Sequence, residues 1–530
     1  MEHGNQKEPD NHQGSNTGND GFGRLCPHLP AWSPPDIDEA KLEGHFLAFA
    51  NTQMSEKPGK GPTEIAADPD LREELDNKFN ASIPAGYTYF GQFIDHDLTL
   101  DTTPLSETNV DPEQITNFRT PKLDLDSVYG GGPLVQSDLY EKSEKGKITG
   151  RLLTGAIRNT AFKDLQRSRD GRALIGDKRN DENAIVSQLH LAFILAHNEL
   201  VDRIIDRDST KKDKGEEVFS EARRTLVFLY QWIVWKDFLK RLTASEIWET
   251  ALQKVHTAGR IRWKLGFMDI YSGDHPLFMP LEFSGAAYRF GHSMVRNSYQ
   301  TNILEKEGAG FGVFIPIFDI SADAQDDLSG FRPLSAKRVI QWDWFLTMES
   351  SQGSFPQQAR KIDTRLCNAL SALREDKNNP EALANILAAR NLIRGVRLGL
   401  PSGPDIARTF GFKPLNLSEN EPEALWYYIL KEAETLAAEQ SGQHLGGVGS
   451  MILCATFAGI LRGDPHSWIN IHPAWTPDDD PLLESSDKRD TGDWNLSSII
   501  RLSKLPVSGD DIQQIWNESQ QEQQEEEPRP

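Results

Sequence analysis

Apolar positions return every three or four residues along much of this chain, which is the spacing of one helix face. The longest such runs are Ala184–Ile205, Glu221–Leu239 and Val448–Leu461. Clusters of glycine and proline that mark loops lie between the runs, at Gly130–Pro133, Leu400–Pro404 and Thr476–Pro481. The pattern predicts a mainly α architecture without internal repeats.

Both ends of the chain have polar compositions that do not favour a packed fold. Residues 1–22 are rich in Asn, Gly, Gln and Asp, and residues 516–530 end in QQEQQEEEPRP. Such segments bury too little apolar surface to offset the entropy lost on ordering. We therefore predict disordered ends at 1–22 and 516–530, on either side of one large helical domain at 23–515.

Composition and charge narrow the classes of function. The chain has 530 residues, of which 38% are hydrophobic and 26% charged, so it can bury a core large enough to keep water from a reactive centre. Asp and Glu outnumber Lys and Arg by 79 to 57, and the resulting net charge of −22 repels polyanions such as nucleic acids. The three cysteines, Cys26, Cys367 and Cys454, are too few and too far apart for a disulfide framework or a CxxC metal site, which is compatible with a reducing compartment.

No segment predicts a signal peptide or a membrane span. The first twenty residues lack an apolar core, and the most apolar stretch, Leu226–Leu239, is interrupted by Gln231, Lys236 and Asp237. A buried amphipathic helix explains that stretch better than a membrane anchor. We expect a soluble protein that is cytoplasmic or exported without a cleavable signal peptide.

Chemistry-bearing residues concentrate in GQFIDHDLTLD, residues 91–101. Gln92 and His96 are four apart and share one face of a helix, Asp95 flanks that face, and Asp97 points elsewhere. By itself a histidine between two aspartates is commonly a charge-satisfied surface residue. The meaning of this segment therefore depends on the rest of the chain.

Two further segments carry comparable residues. GDKRNDEN places Arg179 and Glu182 three apart just before a long helical pattern, where an ordinary ion pair is the simplest alternative. AAYRFGHSMVRN places His292 three residues after Arg289, although a single helical histidine is usually part of the core. Neither segment points to one chemistry without the other.

Together these segments resemble the animal haem peroxidases of the peroxidase–cyclooxygenase superfamily. YTYFGQFIDHDLTL is similar to the family's distal helix, GDKRNDEN with the downstream AHN to its second distal motif, and RFGHS to its proximal motif. The resemblance runs in the family's order from about Phe22 to about Trp468. It implies a large single-domain, mainly α fold of the myeloperoxidase-like type with bound haem b.

The resemblance also implies roles for the central residues. His96 is the distal acid–base residue, with Gln92 beside it, and Arg179 polarises the peroxide. His292 ligates the haem iron, and Arg289 pairs with a haem propionate.

Further roles concern haem attachment and the environment of the iron ligand. Asp95 and Glu182 stand where the family forms ester bonds to haem, whereas Asn183 replaces the methionine with which some members form a sulfonium link. NLIRGVRLGLPSG resembles the stretch whose asparagine bonds the proximal histidine, which makes Asn391 its partner here. An axial imidazole needs such an acceptor on its other nitrogen.

A calcium site is the remaining expectation. TPKLDLDSVYG places Thr120, Lys122, Asp124 and Asp126 at alternate positions, so in an extended loop their oxygens can converge on one cation with Asp97. A half-exposed acidic strand is the alternative, but the SVYG that follows resembles the family's calcium loop. Asp126 departs from the serine that is common there, and Lys122 offers only a carbonyl oxygen.

The resulting hypothesis is a haem peroxidase that reduces hydrogen peroxide and oxidises a small donor such as a halide, thiocyanate, a phenol or an amine. One alternative is a fatty-acid dioxygenase of the cyclooxygenase type, whose radical-bearing tyrosine stands three residues before the proximal histidine. Arg289 occupies that position, and Tyr288 is about 100° away around a helix. The other alternative is a haem-free scaffold or binding protein, against which the intact His96, Arg179 and His292 argue.

Overall fold

Helices make up most of the regular structure in the computed structural model, which describes residues 21–100, 117–257, 259–266, 277–304, 306–307, 311–320, 326–351, 353–379 and 381–526. The α-helices are α1 (Glu39–Gln53), α2 (Pro62–Ala67), α3 (Pro69–Phe79), α4 (Gly86–Leu98), α5 (Asp126–Tyr129), α6 (Ala184–Arg207), α7 (Gly215–Ile233), α8 (Lys240–Leu242), α9 (Ser245–Ala251), α10 (Leu281–Ser284), α11 (Leu387–Arg397), α12 (Gly403–Thr409), α13 (Leu425–Glu434), α14 (Gly447–Gly463), α15 (Trp468–Ile471), α16 (Leu496–Ser503) and α17 (Gly509–Glu526). Shorter 3-10 helices are Ser137–Leu139, Lys178–Asp181, Ser209–Lys211, Ala287–Met294, Ala336–Arg338, Trp342–Trp344, Asn368–Ser371, Leu383–Asn385, Pro477–Asp479 and Ser485–Lys488.

The strands are short and pair only two by two within the described residues. They are β1 (Phe22–Gly23), β2 (Asn80–Pro84), β3 (Tyr140–Lys142), β4 (Ile148–Leu152), β5 (Thr154–Ala156), β6 (Lys163–Leu165), β7 (Leu252–Thr257), β8 (Arg260–Leu265), β9 (Met279–Pro280), β10 (Ser298–Tyr299), β11 (Lys306–Glu307), β12 (Phe311–Gly312), β13 (Ile315–Pro316) and β14 (Gln358–Arg360). β1 pairs with β9 in parallel, and the other pairs, β2–β14, β3–β4, β5–β6, β7–β8, β10–β13 and β11–β12, are antiparallel. The predicted mainly α fold is confirmed.

The packing of α4 against α6 positions the first functional segment. Asn183 caps α6, since its side-chain oxygen accepts hydrogen bonds from the backbone N–H groups of Ile185 and Val186. The rings of Phe93 on α4 and Phe193 on α6 stack with their centroids 4.5 Å apart. These contacts hold the 3-10 helix Lys178–Asp181, which precedes α6, next to α4.

A π-helical segment, Val234–Leu239, lies between α7 and α8. Such segments widen a helix locally and often occur at functional sites. Here Phe238 from this segment lines the cavity that contains the predicted site residues.

One helix within the described residues, α6, is long and apolar enough to cross a membrane. However, 89% of its most apolar window is buried inside the structure. A core helix has this character, because its apolar surface is already covered by protein.

The chain ends differ from their predicted disorder where the structure describes them. Residues 1–20 lie outside the described residues, but Phe22 is buried and pairs with Met279 in the β1–β9 ribbon. At the other end α17 continues through residues 516–526. Glutamine and glutamate are good helix formers, and Ser519 anchors the helix by accepting a hydrogen bond from the backbone N–H of Ala161 at 2.8 Å. Local helix propensity and one tertiary contact therefore outweigh the polar composition.

Candidate active site

Eight predicted site residues meet in one cavity of about 1650 Å³, measured out to its opening. They are the side chains assigned to catalysis and to haem binding: Gln92, Asp95, His96, Arg179, Glu182, Arg289, His292 and Asn391. Four separate segments supply them: α4, the turn before α6, the 3-10 helix Ala287–Met294 and α11.

His96 is a buried, neutral imidazole with one nitrogen left open to the cavity. Its Nδ1 lies 2.8 Å from the side-chain oxygen of Asn180. Because an amide oxygen can only accept, Nδ1 carries the ring proton and Nε2 carries a lone pair. Nε2 makes no hydrogen bond to any residue that the structure describes. Burial and the neighbouring charge of Arg179 lower the pKa of His96 to about 3.

Arg179 is held rigidly by a carboxylate two residues before it. Asp177 accepts hydrogen bonds from the backbone N–H of Arg179 at 2.9 Å and from Nη2 at 2.7 Å. Nη2 of Arg179 also donates to the backbone oxygen of His96 at 3.0 Å, and Arg119 donates to the same Asp177 carboxylate at 2.6 Å. Burial raises the pKa of Asp177, but the two guanidinium groups outweigh this effect and hold it well below its usual range.

Two carboxyl groups line the same cavity. Asp95 accepts a hydrogen bond from Thr99 Oγ1 at 3.0 Å, and burial raises the pKa of the Asp95 carboxyl despite the nearby Arg179. Glu182 accepts a hydrogen bond from Gln92 Nε2, and burial raises the pKa of Glu182 as well. Gln92 is therefore fixed by Glu182, not by His96.

His292 is a second neutral imidazole, and its side chain is partly buried. Burial, reinforced by the charge of Arg289, lowers its pKa to about 3. Its Nδ1 lies 2.8 Å from the side-chain nitrogen of Asn391. The amide oxygen of Asn391 accepts a hydrogen bond from Arg289 Nη1 at 3.3 Å, and Arg289 Nε donates to the backbone oxygen of Ser284 at 2.9 Å.

His292 and Asn391 are in contact, as the sequence predicts. However, the amide of Asn391 presents its nitrogen, not its oxygen, to His292. The sequence predicts an acceptor at Nδ1, whereas the structure presents the donating nitrogen because Arg289 engages the oxygen. In this state the proton of His292 lies on Nε2.

The structure adds two cavity residues that sequence reasoning missed, Arg390 and Arg394 on α11. They are four residues apart and share one face of α11. Asn391 directly follows Arg390 on the same helix. Arg390 donates to the backbone oxygen of Ala384 at 3.0 Å, and burial lowers the pKa of Arg394 to about 10. Their spacing around Asn391 was visible in the sequence, but nothing in it showed that they face the cavity.

Asn180, Asp177 and Arg119 were also missed. The position of Asp177 before a helix start is a recognisable capping signal. The contacts of Asn180 and Arg119 have no comparable local signal, because they join distant parts of the chain.

The three predicted calcium carboxylates come together. Oxygens of Asp97, Asp124 and Asp126 all lie within 4.8 Å of one another. Asp97 also accepts backbone hydrogen bonds from Leu125 and Ser127 at 3.1 and 3.2 Å. Burial and repulsion by Asp124 raise the pKa of Asp97 to about 7.

Thr120 and Lys122 are the other two predicted calcium ligands. Thr120 Oγ1 lies 3.3 Å from Asp124 Oδ2, and Arg119 Nη1 lies 3.3 Å from Asp126 Oδ1. Lys122 makes no hydrogen bond to these carboxylates within the described part of the chain, although its charge lowers the pKa of Asp124, which burial raises.

Comparisons with known proteins agree with this geometry. The family model for animal haem peroxidase matches residues 103–420. Chorion peroxidase of Drosophila melanogaster is 28% identical over 249 residues, which are 47% of this chain and 27% of that protein. The chain thus spans about a quarter of the length of this relative.

Solved structures share the fold at low sequence identity. Peroxidase A from Dictyostelium discoideum superposes with a TM-score of 0.59 at 16% identity, covering 92% of this chain and 94% of that one. A fatty acid α-dioxygenase from Arabidopsis thaliana superposes with a TM-score of 0.54 at 15% identity, covering 95% and 79%.

The matched range contains Arg179, Glu182, Arg289, His292 and Asn391, whereas the α4 residues precede it. The motifs on α4 and the range matched by the family model therefore contribute to the same cavity. This chain belongs to the animal haem peroxidase family.

Proposed function

We propose that this chain is a haem-dependent peroxidase that reduces hydrogen peroxide at the expense of a small electron donor. The observation that carries the proposal is the pair of neutral histidines, the buried His96 and the partly buried His292, that line one cavity together with Arg179. A site of this kind offers a base, a cation and a metal ligand within one water-poor space.

The cavity suits a haem in three respects. His292 offers an imidazole nitrogen that no described residue engages. Arg289, Arg390 and Arg394 supply guanidinium groups of the kind that bind propionate carboxylates. Apolar side chains complete the lining, among them Phe22, Phe238, Leu281, Phe290, Met294 and Val295.

Bound haem supplies the redox and oxygen chemistry that amino-acid side chains lack. His292 would hold the iron through Nε2, which requires the ring proton on Nδ1 and the oxygen of Asn391 facing it. Arg289 would then turn from Asn391 toward a propionate.

The distal side chains move protons and balance charge. His96 Nε2 takes a proton from the peroxide and returns it to the oxygen that leaves as water. Arg179 stabilises the negative charge that develops on that oxygen. The donor supplies two electrons, so that one peroxide and two protons yield two water molecules.

Asp95 and Glu182 are proposed to form ester bonds to haem methyl groups, where each C–O bond would replace a C–H bond and hydrogen peroxide would be the two-electron oxidant, reduced to water. Both line the cavity, and burial raises the pKa of each, which favours the less charged form that an ester resembles. Calcium is proposed at Asp97, Asp124 and Asp126, with Thr120 and the carbonyl of Lys122 completing the ligand set.

A fatty-acid dioxygenase of the cyclooxygenase type is a second candidate, supported by the fold shared with the Arabidopsis α-dioxygenase. Arg289 stands where such an enzyme carries its tyrosine. Tyr288 lines the cavity, with its ring stacked on Phe283 at 4.7 Å. Oxygen uptake with a fatty acid, in the absence of peroxide, distinguishes the two candidates.

Three measurements on the purified 530-residue chain test the proposal. We expect a Soret band, a rapid spectral change on mixing with hydrogen peroxide, and oxidation of at least one donor among iodide, bromide, thiocyanate and guaiacol. A protein that takes up no haem during expression or reconstitution would instead be the haem-free scaffold and would refute the proposal.

A further inference from the structure

The distal histidine and two buried side chains behind it form one linear hydrogen-bonded series. His96 Nδ1 lies 2.8 Å from Asn180 Oδ1, and Asn180 Nδ2 lies 2.9 Å from His190 Nδ1. The exposed fractions of Asn180 and His190 are both 0%, and that of His96 is 5%. Water therefore has little access to this series, and each side chain depends on its neighbour.

The series has a direction because an amide has one accepting end and one donating end. With its oxygen toward His96, Asn180 holds the His96 proton on Nδ1 and leaves the Nε2 lone pair facing the cavity. With the amide reversed, the proton would be on Nε2, and His96 could not take a proton from a substrate there.

His190 lies at the other end of the amide, and its Nε2 has no hydrogen-bond partner among the described residues. Its Nδ1 accepts from Asn180 Nδ2, which leaves the proton of His190 on Nε2. Asn180 belongs to the 3-10 helix Lys178–Asp181 and His190 to α6, which Asn183 caps. The amide is thus fully buried between two helices, with one histidine at each end.

We infer that Asn180 is a positioning residue that fixes the tautomer of His96, and that His190 fixes the orientation of Asn180. The inference rests on the proposed function, since it explains how His96 is kept ready to act as a base. Asn180 is not among the residues that line the cavity.

The hydrogen bond between His96 Nδ1 and Asn180 Oδ1 is kept both when His96 takes up a proton and when it releases that proton. When Nε2 takes a proton, the ring becomes a cation and its Nδ1–H becomes a stronger donor to Asn180 Oδ1. The ring needs no rotation and no proton moves through Nδ1. When Nε2 gives the proton back, the starting tautomer is restored.

The test combines a spectroscopic readout with a ligand-binding readout. The 530-residue chain is labelled with ¹⁵N-histidine, and the ring nitrogens are observed by NMR in the ferrous carbon monoxide complex, or in the chain as purified if it holds no haem. Cyanide association with the ferric protein is followed by stopped flow, because hydrogen cyanide must lose its proton to a base in the cavity before it binds. Neither readout requires turnover.

Four variants separate tautomer control from general damage. Asn180→Leu removes both ends of the amide, Asn180→Asp keeps an accepting oxygen, and His190→Phe removes the group that orients Asn180. His197→Phe is the matched control, since His197 is also fully buried on α6 but bonds Tyr129 and the backbone oxygen of Gly150.

We expect the His96 proton on Nδ1 in the unmodified protein and in Asn180→Asp. Asn180→Leu should shift it toward Nε2 and slow cyanide association by about tenfold or more, as loss of general-base help does. His190→Phe should give a mixture of tautomers, and His197→Phe should change neither readout.

A His96 proton on Nε2 in the unmodified protein overturns the inference, whatever the variants do. Cyanide association in Asn180→Leu equal to that of the unmodified protein also overturns it, while leaving the peroxidase proposal intact. If the protein holds no haem, the peroxidase proposal fails and the NMR tautomer alone decides the inference. If Asn180→Leu does not fold, Asn180→Asp and His190→Phe provide the comparison.

Discussion

The two histidines of the cavity have the same kind of partner but opposite proton positions. His96 faces the oxygen of Asn180, and His292 faces the nitrogen of Asn391, each at 2.8 Å. The distal ring therefore has a free lone pair on Nε2, whereas the proximal ring carries its proton there.

The difference comes from the residue behind each amide. Asn180 is proposed to be oriented by His190, which is fully buried in the core. Asn391 is oriented by Arg289, a cation that lines the cavity and is proposed to bind a propionate. On the distal side, both hydrogen-bond partners of the Asn180 amide are protein side chains. On the proximal side, haem binding would draw Arg289 away from Asn391 and reverse the end of the amide that faces His292.

The largest expected effect tests the proximal side. His292→Ala should retain less than about a tenth of the haem of the unmodified protein, because the proposed axial ligand is lost. Haem per chain is measured from the Soret absorbance, with His197→Phe as the control for damage to a buried site. Unchanged haem content and spectrum would show that another residue ligates the iron.

The corresponding substitution of the distal histidine should affect the reaction with peroxide, not haem binding. His96→Ala should keep the haem and slow the reaction with hydrogen peroxide by about 10²–10⁴-fold, since general acid–base help is lost. Stopped-flow spectroscopy measures the rate. A rate equal to that of the unmodified protein would remove His96 from the mechanism.

The side chain of Asn391 should contribute to haem affinity. Asn391→Leu removes the acceptor that His292 needs in its ligating tautomer, and changes of this kind cost about 10–100-fold in metal affinity or activity. Transfer of haem to apomyoglobin measures the affinity, and the iron–histidine stretching band in resonance Raman spectra reports the ring directly. An unshifted band would mean that Asn391 does not act through His292.

Covalent attachment would distinguish the distal wall from the proximal wall, because Asp95 and Glu182 both lie with the distal residues. After brief peroxide treatment, Asp95→Val and Glu182→Gln should each release part of the haem in denaturing chromatography. The unmodified protein should release less than either variant. If all haem separates from the unmodified protein, neither carboxylate is a link.

The smallest expected effect concerns the cation cluster. Removing calcium with a chelator should shift the Soret band slightly, because Asp97 follows His96 directly and Arg119 joins Asp126 to the Asp177 that holds Arg179. Metal content and spectrum are recorded together. Loss of calcium with an unchanged spectrum would separate the cluster from the distal side.

Local pattern in the sequence was sufficient for the elements and for the residues of the motifs. The apolar run from Ala184 predicted α6, and the spacing of Gln92 and His96 placed them on one helix. These features depend on neighbours a few residues apart, for which helix geometry alone sets the distances.

The tertiary structure alone decided which partner each motif residue has and which end of that partner it meets. Asn180 reaches His96 across 84 positions of sequence, and Asn391 reaches His292 across 99. The ends of the chain show the same dependence, since α17 extends into a tail whose composition predicted disorder. The sequence determined which side chains can accept or donate, but the proton position in each ring depends on a third residue that only packing brings into contact.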